Sequence, residues 1–127
     1  MLKYVMGEKK FDLEERLVEF SLRIMDLVEI MPDNKIANHI AGQMLRSGTS
    51  PALNYGEAQS AESRNDFIHK MKICLKELRE TNISLKIIKR KPLVKTFEKV
   101  DFILTECNEL ISIFVKSIAT AETNRVK

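Results

Sequence analysis

The sequence is poor in residues that interrupt helices and in residues that form disulfides. Its 127 residues include 4 Gly, 3 Pro, 2 Cys and no Trp, whereas Leu, Ile, Lys and Glu are plentiful. This composition is typical of helical proteins, and the length fits one domain with a single core. Two cysteines are too few for a disulfide framework, so we interpret Cys74 and Cys107 as buried, reduced side chains.

Long apolar runs are also missing. The densest run, Leu110 to Val115, has six residues, whereas a helix that spans a membrane needs about 18 or more. The first residues, MLKYVMGEKKF, show neither the apolar core nor the cleavage site of a signal peptide. We therefore expect a cytoplasmic protein with no membrane partner.

The residue sets of common catalytic sites are absent as well. A carboxylate-bridged metal pair in a helical bundle needs Glu from two helices and Glu-x-x-His from two more, and this chain has only His39 and His69. Asp66, three residues before His69, is better explained by helix capping. There is no nucleophile elbow, glycine-rich phosphate loop or Cys-x-x-Cys pair. The sequence therefore predicts no enzyme, no metal and no cofactor.

Four segments carry apolar or small residues at alternating spacings of four and three, which predicts four amphipathic helices. The four stripes are Leu13, Leu17, Phe20, Ile24, Leu27 and Met31; Ala37, Ala41, Met44, Gly48, Pro51, Tyr55 and Ala58; Phe67, Met71, Cys74, Leu78, Thr81, Leu85 and Ile88; and Leu93, Phe97, Val100, Leu104, Cys107, Ile111, Phe114, Ile118 and Ala121. Asp12, Asp33 and Ser63 are the expected N-caps.

Short connections near Pro32, Glu62 and Pro92 link these long helices, and such links place consecutive helices side by side in opposite directions. The expected fold is an all-α, antiparallel, up-down-up-down four-helix bundle. Residues 1–127 then form one domain, in which 1–10 and 122–127 are loosely ordered tails.

The segment RSGTSPALNYGEA, residues 46–58, has the composition of a loop. The helical register nevertheless enters at Ala37 and leaves at Ala58 unshifted, which favours one continuous second helix over two helices separated by a turn. Pro51 cannot donate to the carbonyl of Ser47, so we expect a kink near Pro51. Gly48 would let another helix approach closely.

Polar residues recur on one side of the second helix, and a helical wheel places them away from the chain's own core. Arg46 and Glu57 are about 16 Å apart along the axis, so each must pair with another helix or another chain. We favour a structural role, in which this polar motif holds subunits or the kinked helix together, over a ligand site. The residues on this side are Arg46, Ser50, Asn54 and Glu57, and together with Ser47 they make up the polar motif.

Charge is unevenly distributed along the chain. Residues 1–62 carry 7 Lys and Arg against 10 Asp and Glu, whereas residues 63–127 carry 14 against 8. Such a basic excess is either a solvated face or a patch for an anionic partner such as nucleic acid. The candidate nucleic-acid-binding residues are Lys86, Lys89, Arg90, Lys91, Lys95 and Lys99.

The stretch from Leu45 to Ile88 resembles the four-helix bundle proteins encoded within intervening sequences of bacterial ribosomal RNA genes. Their pattern begins with Arg-Ser and a second Ser, and Asn and Glu follow that second Ser after four and seven residues. A Phe comes next, and then a Glu-rich helix that ends near Glu-Thr. The matching positions are Arg46, Ser47, Ser50, Asn54, Glu57, Ala58, Phe67, Glu77, Glu80, Thr81 and Leu85. Pro51 departs from the pattern, which has an aliphatic residue there.

The resemblance implies a small cytoplasmic bacterial protein that assembles into a ring or barrel, typically a homopentamer. A similar protein is the accessory factor of diversity-generating retroelements, a basic barrel that binds nucleic acid and a reverse transcriptase. Two hypotheses follow: a homo-oligomer that binds RNA or DNA through its backbone, or a scaffold that binds a partner protein. We expect backbone-directed binding because aromatic residues are assigned to the core.

Overall fold

A computed structural model describes residues 12–125, except for the side chain of Arg125. These described residues form four helices: α1 (Leu13–Glu29), α2 (Lys35–Gln59), α3 (Arg64–Arg90) and α4 (Phe97–Arg125). The described residues contain no strand, so the predicted all-α class is confirmed. None of the helices in this part of the chain is long and apolar enough to cross a membrane.

Side-chain caps define the starts of three helices. The Asp12 carboxylate accepts a hydrogen bond from the Glu15 amide at 3.2 Å, and the Ser63 hydroxyl accepts one from the Asp66 amide at 3.0 Å, as predicted. The cap of α2 is Asn34 rather than Asp33, because Asn34 is the last extended residue and its side chain accepts from Ala37. Asp33 instead accepts a hydrogen bond from the side chain of Asn38.

α2 runs without interruption through Pro51. One continuous helix is therefore confirmed, and the alternative of two helices joined by a turn is wrong. The neighbouring hydroxyl groups bond to the preceding turn: Thr49 Oγ1 donates to the Leu45 carbonyl at 2.8 Å. Whether the helix bends at Pro51 stays a prediction.

Helix α4 differs most from its predicted form. It begins at Phe97, and Leu93 lies in the preceding loop, where its amide donates to the Ile88 carbonyl. Ile103 and Leu110 are buried, whereas the predicted Leu104 and Ile111 are half-buried and Phe97 is 45% exposed. The helix continues to Arg125, so residues 122–125, expected in a loose tail, are helical; residues 1–10, 126 and 127 lie outside the described residues.

Each helix packs against the next along the chain, and α4 also packs against α1. Pairs at both ends give the relative directions of α3 and α4: Arg64 reaches the Ala121 carbonyl, and Lys89 pairs with Asp101. These contacts are consistent with the predicted up-down-up-down order. The core contains the largest fully buried side chains, Phe20 and Phe114, and the ring of Tyr55 contacts Phe114 edge to face at 6.1 Å.

Candidate nucleic-acid interface and polar motif

The six basic residues predicted to bind nucleic acid lie at one end of the structure, which we call the basic end. They occupy the last turns of α3, the loop that follows and the first turn of α4, and all are exposed: Lys86, Lys89, Arg90, Lys91, Lys95 and Lys99. Cations in the last turn of α3 also interact favourably with the partial negative charge of that helix terminus. Basic residues at the end of α3 would therefore be favoured by helix stability as well as by binding of an anionic ligand.

Among the described residues, one member of the basic end forms a salt bridge. Lys89 Nζ lies 2.7 Å from Asp101 Oδ1 of α4, which connects the end of α3 to the start of α4. The acidic residues nearest in sequence are Glu98 and Asp101. The remaining five cations project into solvent, where they are available to the phosphates of an approaching polyanion.

An apolar groove of about 740 Å³ opens beside these cations. It lies between the α1–α2 connection, which contributes Ile30 and Pro32, and the α3–α4 connection, which contributes residues 92–97. Phe97, which we placed in the core from its register, lines this groove. The expectation that aromatic residues are confined to the core is therefore wrong, since Phe97 and Phe102 are 45% and 55% exposed.

The polar motif of α2 is directed along its contact with α3. Arg46 Nη1 donates to Glu77 Oε1 at 2.9 Å, and Nη2 donates to Glu80 Oε1 at 2.7 Å. The hydrogen bonds to Glu80 and to Glu77 raise the pKa of the Arg46 guanidinium above its usual value. The Glu77 side chain is only 10% exposed, so Arg46 neutralises a carboxylate that is largely shielded from water.

The other members of the motif also have partners within the chain. Ser47 and Thr81 share a buried hydroxyl contact of 2.8 Å, and Glu57 Oε1 accepts from Lys70 Nζ at 2.6 Å. Asn54 donates to the hydroxyl and carbonyl of Ser50. The wheel correctly separated Arg46, Ser50, Asn54 and Glu57 from the core centre but missed that α3 lies beside them, whereas Ser47 is buried. The partners on α3 follow the residue pattern of the family that the sequence resembles, and that pattern is the signal that could have found them.

The comparisons with known proteins agree with that resemblance. Residues 9–116 match the family described as 23S rRNA-intervening sequence protein. The chain belongs to this family. A crystal structure from Bacteroides thetaiotaomicron, described as a protein with unknown function from the S23 ribosomal protein family, has a similar fold with a TM-score of 0.74. The two sequences are 31% identical over 84% of this chain and 98% of the other. No curated protein matches this chain.

The cysteines of this family member are free and buried. Burial raises the pKa of the Cys74 thiol to about 12 and that of Cys107 to about 11, so both are protonated near neutral pH. Each donates weakly to a backbone carbonyl, Cys74 to Pro51 and Cys107 to Leu78. In the part of the chain that the structure describes, His, Cys, Asp and Glu form no group of three or more suited to a metal ion.

Proposed function

We propose that this protein is a non-enzymatic, cytoplasmic, homo-oligomeric accessory protein that binds the backbone of RNA or DNA through its basic end. The observation that carries the proposal is that all six basic residues are exposed at one end of the structure. Within the described residues, only Lys89 of the six forms a salt bridge, to Asp101. We further propose that the helices form an up-down-up-down bundle, which would present this end as one contiguous surface.

Self-association is supported by exposed apolar residues that flank the contact between α1 and α2. Ser21 and Gly48 form that contact, since Ser21 Oγ lies 3.4 Å from the Gly48 carbonyl. One helical turn from these residues lie Val18, Met25 and Leu45, and further outward lie Leu22 and Leu53. We call these five side chains the apolar seam; their exposed fractions are 39%, 41%, 38%, 46% and 70%, respectively.

A second copy of this chain is the partner that we propose for the apolar seam. The seam belongs to the acidic half of the sequence, residues 1–62 with a net charge of −3, whereas residues 63–127 carry +6. We propose that the half with net negative charge on one copy faces the half with net positive charge on the next, a contact that would be electrostatically complementary. Such a head-to-tail contact closes into a ring when the rotation permits, and the resemblance to pentameric family members leads us to propose five subunits.

Nucleic-acid binding is tested by electrophoretic shift of structured RNA and of DNA at increasing salt. We expect binding at low salt that weakens sharply between about 50 and 200 mM, because each phosphate contact releases counterions. Replacing Lys86, Lys91 and Lys95 with Gln should weaken binding and flatten its salt dependence. The matched control replaces Lys76, Arg79 and Lys116 with Gln, which removes equal charge away from the basic end.

The alternative function is a scaffold for a partner protein, and the apolar seam is the feature that favours it. Absence of any shift at low salt and micromolar protein would reject nucleic-acid binding. A protein that co-purifies from the native host after nuclease treatment, and that still binds the Lys86, Lys91 and Lys95 variant, would support the scaffold instead.

A further inference from the structure

Phe97 is exposed at a position where helical register alone predicts burial. It is the first residue of α4, its side chain is 45% exposed, and it lines the apolar groove of the basic end. A ligand that covers this ring and the apolar groove beside it would gain free energy by removing apolar surface from water. The neighbouring charges indicate what kind of ligand that is.

The groove is bordered by cations. Lys95 lines it directly, and Arg90 and Lys91 immediately precede the Pro92 that forms one of its walls. An aromatic surface within a basic surround suits a ligand that combines an aromatic face with repeated negative charge. Single-stranded nucleic acid has both, since bases stack on aromatic side chains while Lys and Arg contact the phosphates.

A base-paired duplex does not fit this arrangement as well. Its bases are stacked on one another and present only their edges, so a side chain reaches their faces only after unstacking them. Cations alone would be sufficient to hold a duplex. The apolar groove and the exposed ring therefore distinguish unpaired nucleotides from paired ones.

We propose that Phe97 and the adjacent groove bind an unpaired base of single-stranded RNA or DNA, and that Arg90, Lys91 and Lys95 bind the flanking phosphates. This inference rests on the proposed nucleic-acid function and names its substrate class. It also replaces purely backbone-directed binding with binding that prefers unpaired loops and ends.

A second exposed aromatic residue provides a matched control. Phe102 is 55% exposed on α4, but the guanidinium of Arg23 lies 4.6 Å from its ring centroid and covers one face. Phe102 is also absent from the lining of the groove at the basic end. Phe102→Leu therefore removes an exposed ring of the same kind from outside the proposed site.

The test measures fluorescence anisotropy with a labelled 20-nucleotide oligo-uridine and with a 20-base-pair RNA duplex at low salt. Phe97→Leu should weaken oligo-uridine binding about tenfold, the scale of one lost stacking contact, and should change duplex binding less than twofold. Phe97→Tyr should keep the affinity of the unmodified protein for oligo-uridine, and Phe102→Leu should change the affinity for neither nucleic acid. Thermal melting of each variant checks that the fold is intact.

The outcomes separate this inference from the broader proposal. If Phe97→Leu leaves oligo-uridine binding unchanged, or weakens both ligands equally, while the Lys86, Lys91 and Lys95 variant weakens both, the stacking site is wrong and nucleic-acid binding stands. If the unmodified protein binds neither ligand at low salt, the proposed function itself is wrong.

Discussion

Gly48 shows how one small side chain positions two helices. An added Cβ at Gly48 would lie 2.8 Å from Cγ1 and 2.9 Å from Cγ2 of Ile24 on α1, and 3.3 Å from its Cβ. Glycine inside a helix costs about 1 kcal/mol relative to alanine. Here that cost is offset because the missing side chain lets α1 pack against the α2 backbone, where Ser21 also approaches the Gly48 carbonyl.

Gly48→Ala is therefore expected to destabilise the protein although alanine is the better helix former. The branched Ile24 side chain is fully buried and must move, which for an overpacked site costs about 1–3 kcal/mol. The control is Gly42→Ala, since nothing lies within 4 Å of a Cβ there; it should stabilise by up to about 1 kcal/mol. Urea unfolding measures both, and equal stabilities would contradict the close packing at Gly48.

Sequence reasoning at this scale succeeds where one residue type has one local role. Gly48 was predicted to permit a close approach, and Asp12 and Ser63 were correctly predicted as caps. It chose Asp33 instead of Asn34 as the cap of α2, because either side chain can accept a hydrogen bond from an amide of the first helical turn. The deciding factor is which residue is last in the extended conformation, and composition does not encode that.

At the scale of helices, the α2–α3 contact depends on a charged cluster with unequal exposure. Arg46 connects Glu77, whose side chain is 10% exposed, with Glu80, which is 40% exposed. The Lys70–Glu57 pair joins the same two helices, but its carboxylate is 60% exposed. A largely buried carboxylate that loses its partner is costly, whereas an exposed pair contributes little.

Arg46→Ala should therefore lower the melting temperature clearly more than Lys70→Ala does. The reason is that Arg46→Ala leaves the Glu77 carboxylate shielded and unpaired. Adding Glu77→Gln to Arg46→Ala should recover part of the loss, because the amide carries no charge. Differential scanning fluorimetry compares the four proteins, and equal shifts for the two single variants would show that the cluster contributes no more than a surface ion pair.

Helix periodicity predicted the number, order and approximate ends of the elements, and most of the face that α4 buries: Val100, Cys107, Phe114, Ile118 and Ala121 are buried as predicted. It missed that Ile103 and Leu110 are buried in preference to Leu104 and Ile111. Apolar residues at 103, 104, 110, 111, 113 and 114 span about half of its circumference. Two neighbouring residues are then equally apolar at two places, 103 and 104 and again 110 and 111. Only contact with α1 and α3 selects which residue of each pair is buried. The exposure of Phe97 follows from the same ambiguity, and so the groove beside the basic end was not predictable.

At the scale of the whole molecule, salt bridges within residues 12–125 join three of the four pairs of neighbouring helices. They connect α2 to α3 at Arg46, α3 to α4 at Lys89 and α1 to α4 at Arg16. The surface beside the α1–α2 contact instead exposes the apolar seam. Contiguous exposed apolar side chains commonly mark a protein interface, and this seam lies in the half of the chain with net negative charge.

Leu53→Glu should therefore reduce the mass of the assembly without unfolding the protomer. Leu53 is 70% exposed, so a carboxylate is well solvated in a free protomer but is buried without a partner if a second copy covers the seam. Ile36→Glu is the control: Ile36 is 57% exposed on α2 and lies about 100° around the helix from Leu53. Light scattering after size exclusion measures the mass. An oligomer of unchanged mass for Leu53→Glu would place the interface elsewhere, and a monomeric unmodified protein would exclude self-association.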